Sequence, residues 1–190
     1  MPFKVLLVLI ILGLVVIRRY YQRGYRREDV IMATRVVESQ VSVIVTALLL
    51  LPILLYLFTD WLNWHNIPFP LWLRWSGFGL GAVGLLLLWW CHHTLGANWQ
   101  PDIAIRRGHE LVTKGPYAYI RHPMYLAFIL QGIGLTLIAA NWIIAFFMLL
   151  PPSIAYLRRS KQEEIMLEEA FGDAYRDYKA RTGNLFPKIW

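Results

Sequence analysis

Arg121, His122 and Pro123 stand directly before an apolar run that opens at Met124, in the stretch GPYAYIRHPMYLAFIL from Gly115 to Leu130. A guanidinium and an imidazole are costly at a hydrophobic boundary unless they have partners or chemistry to perform. Pro123 suits the first position of a helix, where its missing N–H costs nothing. The next N–H groups, on Met124 and Tyr125, then lack an intrahelical acceptor and carry the positive end of the helix dipole. Such a helix start takes a carboxylate or another small anion. His122, at the cap, adds a donor. The plainer reading is a helix end anchored to lipid headgroups by Arg121 and His122, with Tyr117 and Tyr119 as interface aromatics.

A second group of charges follows the last apolar run, in RRSKQEEIMLEEAFGDAYRDYKARTGNLFP. Arg159 and Glu163 are four apart, so one helix presents both on one face. On a solvated helix such a pair contributes roughly a few tenths of a kcal/mol and implies no function. The spacing by itself does not separate that reading from a functional one.

The elements that must position these groups are hydrophobic. Of 190 residues, 57% are hydrophobic and 16% charged, against about 25% charged in soluble domains. The chain reads as a polytopic membrane protein, an all-α bundle forming one fold unit. Nine tryptophans and ten tyrosines suit the two interfaces. The net charge of +7 would suggest nucleic acid in a soluble protein. Here basic residues flank spans, and neither zinc-ligand spacing nor a base-stacking pattern supports a nucleic-acid partner. Cys91, the single cysteine, excludes an intramolecular disulfide and reads as a small apolar residue at a helix end.

Five spans are expected: Phe3–Ile17, then about Val41–Thr59, Leu71–Trp90, Met124–Ala140 and Trp142–Tyr156. Arg74, near the start of the third span, is able to snorkel, and Gly77 and Gly81 are expected to permit close helix packing. Asn141 breaks the last two spans into a hairpin, and Pro151 and Pro152 should kink or end the fifth helix. Arg18, Arg19, Arg23, Arg26, Arg27 and Arg35 form a basic connection after the first span. The positive-inside rule then places the amino terminus outside and the carboxyl terminus in the cytoplasm. Tail residues Leu167, Phe171, Tyr175 and Tyr178 share a helical face, and Gly172-Asp173 reads as a stop followed by a new N-cap. Residues 1–97 form the first three spans, and residues 98–190 the catalytic region with its hairpin and tail.

HELVTKGPYAYIRHPMY, a hydrophobic hairpin, and EEIMLEEAFGDAYRDYKART follow one another in this order. The series resembles the isoprenylcysteine carboxyl methyltransferase family, integral membrane enzymes that use S-adenosylmethionine, and the five-span count looks like its short prokaryotic members. The resemblance runs from about Asn98 to Pro187. It implies a cytoplasmic cofactor pocket made by the carboxyl-terminal half, lined by His109, Glu110, Leu111, Val112, Tyr117, His122, Pro123, Met124, Tyr125 and Glu163. It places Arg159 where the family has a substrate-side arginine, with Arg181 as a second candidate. No metal is implied, and the absence of a dinucleotide-binding glycine pattern is no objection.

The expected activity is methylation of a lipidic carboxylate of the isoprenylcysteine kind. A phospholipid amine or a small thiol is an alternative acceptor, and an amine would need a base near Tyr125 or His122. A sterol-reductase-like enzyme using NADPH is a reading of another class, disfavoured by the short chain. A non-catalytic scaffold would bind neither nucleotide.

Overall fold

The computed structural model describes residues 2–23, 30–33, 49–100 and 103–188. In chain order these form α1 (Pro2–Gln22), β1 (Val30–Ala33), α2 (Leu49–Phe58), α3 (Leu71–Leu95), β2 (Ala104–Arg106), α4 (Pro123–Ala139), α5 (Trp142–Phe171) and α6 (Asp173–Arg181). The first part of the second expected span, residues 41–48, lies outside the described residues. Among the described residues, one helical stretch, Leu71–Asn98, is long and apolar enough to cross a membrane; Leu49–Phe58 and Pro123–Ala139 are apolar but shorter. Large apolar side chains point outward along α1 (Val5, Leu9, Leu12, Val16) and α3 (Val83, Leu86, Trp90). A lipid environment tolerates such faces, whereas water does not.

A seam of glycines lets α3 and α4 approach closely. A side chain at Gly134 would stand 2.7 Å from the Gly81 nitrogen and 2.8 Å from the Gly77 carbonyl oxygen. Gly77 and Gly81 therefore do what their spacing suggested, and Gly84 extends the seam against Ala127 and Gln131. Phe3, Leu7 and Ile10 of α1, Tyr56 of α2, Leu135 and Ile138 of α4, and Ile144 and Met148 of α5 close one core around it.

Arg74 does not snorkel. It turns inward, donating through Nε (3.0 Å) and Nη2 (2.6 Å) to the Ile138 carbonyl, with its guanidinium 3.8 Å over the Phe3 ring. The last carbonyls of a helix lack partners, and Arg74 and the Tyr56 hydroxyl (3.0 Å to Ala139) answer two of them at the end of α4. Asn141, between α4 and α5, is fully buried. Its Oδ1 accepts from Ile143 and Ile144 at the start of α5, and its Nδ2 donates to the Leu62 carbonyl (2.7 Å) and Asn66 Oδ1 (3.0 Å). One side chain thus makes the hairpin and ties it to the loop after α2.

α5 runs for 30 residues through Pro151 and Pro152, so the prolines do not end it. Each proline deprives a carbonyl one turn earlier of its donor and pushes it aside. Met148, one such residue, has its carbonyl against Gly132 of α4, where any side chain would sit 2.5 Å from it. The gap at Gly132 accommodates the displacement, and the helix continues past the apolar region into the charged tail. It stops at Gly172, in the left-handed region (φ 54°). Gly172 itself, not Asp173, occupies the cap of α6; Asp173 pairs with Arg176 at 2.6 Å instead.

The all-α expectation omitted one small element. β1 pairs antiparallel with β2, Val30 opposite Arg106 and Ala33 opposite Ala104. Ile103 and Ile105 from this ribbon pack on Met166, Leu167 and Phe171 of α5. Strands of three or four residues are too short for their alternation to stand out from neighbouring loops.

Asn141→Ala removes the α5 cap and two buried donor contacts together. The expected loss is about 2 kcal/mol or more, read as a lower thermal midpoint in detergent. An unchanged midpoint would show that the hairpin does not depend on Asn141.

Candidate functional site

The start of α4 is held by the tail of the chain. Ile120 bridges in parallel to Gly183, with Arg121 N donating to the Gly183 carbonyl (2.9 Å), His122 N to the Asn184 carbonyl (3.0 Å) and Gly183 N to the Tyr119 carbonyl (3.2 Å). A side chain at Gly183 would run into the Phe186 carbonyl, so this turn requires glycine. The hydroxyl of Tyr156 on α5 donates to Asn184 Oδ1 at 2.8 Å. The hydrophobic hairpin and the tail therefore converge on Arg121-His122-Pro123.

Glu164 is the hub of this convergence. Its Oε1 lies 2.9 Å from Arg121 Nε and 3.4 Å from His122 Nε2, and its Oε2 lies 3.0 Å from Lys179 Nζ. Arg121 also donates to the carbonyls of Lys179 and Thr182. Hydrogen bonds from His122, Lys179 and Arg121 hold the Glu164 carboxyl well below the usual carboxylate range, against the opposing effect of its burial. Glu163 takes the other edge of the same imidazole, with Oε2 3.6 Å from His122 Nδ1. Its side chain remains 39% accessible against 14% for Glu164. Desolvation pushes its pKa up, while the charges of His122 and Arg159 pull the other way.

His122 is almost wholly buried and makes no capping bond with its side chain. The ring is turned away from the helix start toward the two glutamates, edge-on to Tyr125 (5.7 Å) and Tyr156 (6.2 Å), which lie 5.5 Å from each other. The Tyr125 N–H, expected to be open, donates to the His122 carbonyl at 3.2 Å. Among the described residues, that leaves Met124 as the first-turn N–H after Pro123 without a backbone acceptor. The anion-binding capacity of the helix start is correspondingly narrower than its sequence suggests.

Tyr117, His122, Pro123, Tyr125 and Glu163 come together here. Tyr117 is buried and within electrostatic reach of Glu163. The Tyr178 hydroxyl, pushed up to about 12 by burial, remains a donor and bonds the Tyr117 carbonyl at 2.7 Å. His109 lies further along α5, its ring 5.9 Å from that of Phe171 and its Nδ1 3.2 Å from Gln100 Nε2. Glu110 is exposed, with its backbone N–H on Asn98 Oδ1 (2.9 Å), and Leu111 and Val112 are half-buried. The positive charge of Arg159, one turn earlier on α5, acts on Glu163. Arg181 is exposed and donates to the Asp177 carbonyl of its own helix. Sequence reasoning overlooked Arg121, Glu164 and Lys179 as a unit. The available signal was the doubled glutamate: neighbours on a helix point about 100° apart, so Glu163 and Glu164 face different surroundings.

The model of the isoprenylcysteine carboxyl methyltransferase (ICMT) family matches residues 78–169, so the resemblance read from the motifs stands. Protein-S-isoprenylcysteine O-methyltransferase of Homo sapiens is 30% identical over 128 residues, covering 66% of this chain and 45% of that protein. The cobalt-zinc-cadmium resistance protein CzcN of Cupriavidus metallidurans is 29% identical over 124 residues, covering 61% of this chain and 55% of that protein. In three dimensions the chain is similar to the eukaryotic intramembrane Ras methyltransferase ICMT. That match has a TM-score of 0.59 and 27% identity, over 82% of this chain and 55% of that one. The chain thus spans about half the length of the relatives it matches.

The two glutamates give opposite pH dependences. Glu164, with its pKa lowered, contributes stability that is present above its ordinary value of 4.5 and lost as pH falls below it. Glu163, with its pKa raised, carries a burial cost that is relieved as pH falls toward 4.5. The thermal midpoint should therefore drop on acidification below about pH 4.5, and Glu164→Gln should flatten that drop while lowering the midpoint at neutral pH. A wild-type acid slope in Glu164→Gln would assign the loss to other groups.

Proposed function

We propose that this chain is a five-span membrane methyltransferase that uses S-adenosylmethionine to methylate the carboxylate of a lipidic, isoprenylcysteine-like acceptor. The observation that carries the reading is the placement of His122 between Glu163 and Glu164. It joins the start of α4 to the tail with one carboxylate fully engaged and the other left accessible. The residues present suit the cofactor. Glu163, partly accessible and desolvated, is an acceptor for an ammonium or for ribose hydroxyls, and the Met124 N–H can receive a carboxylate. Tyr117, Pro123 and Tyr125 supply walls, and on this reading His109, Glu110, Leu111 and Val112 take the remainder of the cofactor.

When bound, S-adenosylmethionine supplies a methyl group on a sulfonium; its transfer to a carboxylate oxygen yields a methyl ester and a neutral thioether. The acceptor is already anionic at neutral pH, so the protein's work is alignment and exclusion of water. Arg159 orients the acceptor carboxylate by a two-point guanidinium contact, leaving one oxygen free to react. Residues 98–190 supply the cofactor side, and the first 97 residues supply spans toward the lipid. An amine acceptor would require a base to take its proton, and the arginine at Arg159 would repel a protonated amine.

S-adenosylhomocysteine should bind the purified protein and NADPH should not. Glu163→Ala should weaken that binding about tenfold or more, measured by calorimetry. Arg159→Ala should leave it nearly intact while methyl transfer to a prenylated carboxylate falls sharply. Normal turnover in folded Arg159→Ala would remove the arginine from the mechanism, and undiminished affinity in Glu163→Ala would remove the glutamate.

The amino terminus lies outside and the tail in the cytoplasm on this reading. Asn141 is buried and Gly183 admits no side chain, so Trp64, 92% exposed, and the exposed Lys161 are the sites to probe. Trp64→Cys should label in intact cells and Lys161→Cys only after permeabilisation. The opposite pattern would invert the topology.

A further inference from the structure

α1 lies outside the stretch that matches the family model, yet it brings a cation toward the site. Phe3, Leu7 and Ile10 are its buried stripe, and the same spacing leads through Leu14 to Arg18 and Tyr21. Arg18, expected in a connecting loop, is therefore on the inward face of a helix. Its guanidinium stands over the ring of Phe128 on α4, 5.7 Å from the centroid, one turn from Tyr125. Tyr21 packs on His92 (5.0 Å between rings), and His92 on Trp99 (4.8 Å), which fixes the end of α1 against α3. Arg18 is near enough to Arg159 for the two positive charges to repel.

An arginine at a membrane boundary has a low-cost alternative: it can extend to the headgroups. Here Arg18 is partly buried, and among the described residues no carboxylate or carbonyl accepts from it. A guanidinium lying over an aromatic face keeps its N–H edge free for a planar anion. A second cation nearby makes an anion that both can reach more favourable still.

We infer that Arg18 binds the anionic head group of the acceptor together with Arg159, at the meeting of α1, α4 and α5, so that the first helix selects a carboxylate over a neutral or amine head group. This rests on the methyl-transfer reading above and extends it to a part of the chain that the family match does not cover.

The test uses the full chain in detergent with S-adenosylhomocysteine bound, and two probes: an S-prenylated cysteine derivative with a free carboxylate, and its carboxamide. The carboxylate should raise the thermal midpoint of the wild type clearly more than the carboxamide does. Arg18→Gln should erase that preference and raise KM for the carboxylate acceptor by about tenfold or more, with S-adenosylhomocysteine affinity unchanged. Arg18→Lys should fall between. A wild type without preference, or an Arg18→Gln variant that retains it, overturns the inference. An equal loss for both probes also overturns it, because that is the signature of helix anchoring. If Arg18→Gln does not fold, Arg18→Lys is read on the same pair, and an unchanged preference overturns the inference. S-adenosylhomocysteine binding by the wild type reports separately on the methyl-transfer reading: binding without carboxylate preference rejects Arg18 alone, and absence of binding rejects the reading beneath it.

Discussion

The carboxylate of Glu164 is the contact on which the arrangement of the site depends. Arg121 at the mouth of α4, His122 at its cap and Lys179 on α6 all reach the same two oxygens. A single anion serving three cationic or potentially cationic groups is well compensated, although it is largely removed from water. Because those groups come from α4 and α6 while the carboxylate comes from α5, the ion cluster orients three helices at once. Arg121 adds bonds to the backbone of the tail, and the Gly183 turn adds two more. Removal of the central charge would leave two basic groups and an imidazole facing one another.

The adjacent glutamate has a different task because its surroundings differ. Glu164 is fully engaged and its proton affinity is depressed. Glu163 meets the far edge of His122 and stands partly open, its proton affinity raised by desolvation. Polar groups that are costly where they stand, and still accessible, mark places where a ligand can lower the free energy. One doubled residue thus divides structural work from binding work, with the imidazole between them fixed on both edges.

The apolar helices determine where this cluster sits. Close approach along the Gly77, Gly81 and Gly134 seam brings α4 against α3, and the chain reverses into α5 over two buried residues, Ala140 and the capping Asn141. α5 then passes two prolines without stopping, since Gly132 leaves room for a displaced carbonyl, and so delivers Tyr156, Arg159, Glu163 and Glu164 on one rigid element. A break at the prolines would have disconnected the hairpin from the tail.

Much of this was legible in the residues themselves. Hydrophobic run lengths located the helices, Pro123 marked the start of α4, Gly172 marked the end of α5, and the ordered motifs pointed to the family. These features are local: they depend on backbone preference, hydropathy and spacing along one stretch of chain. What the sequence could not reveal depends on what faces what. Arg74 turns inward because unpartnered carbonyls at the end of α4 happen to lie beside it. His122 abandons its cap because two carboxylates more than 40 residues away stand at its edges, and Arg18 leaves the loop for the bundle because α1 runs one turn longer than its apolar residues. Charged side chains are long, and in a medium poor in water they follow the nearest compensating group. That group is chosen by tertiary packing, not by the neighbours in sequence.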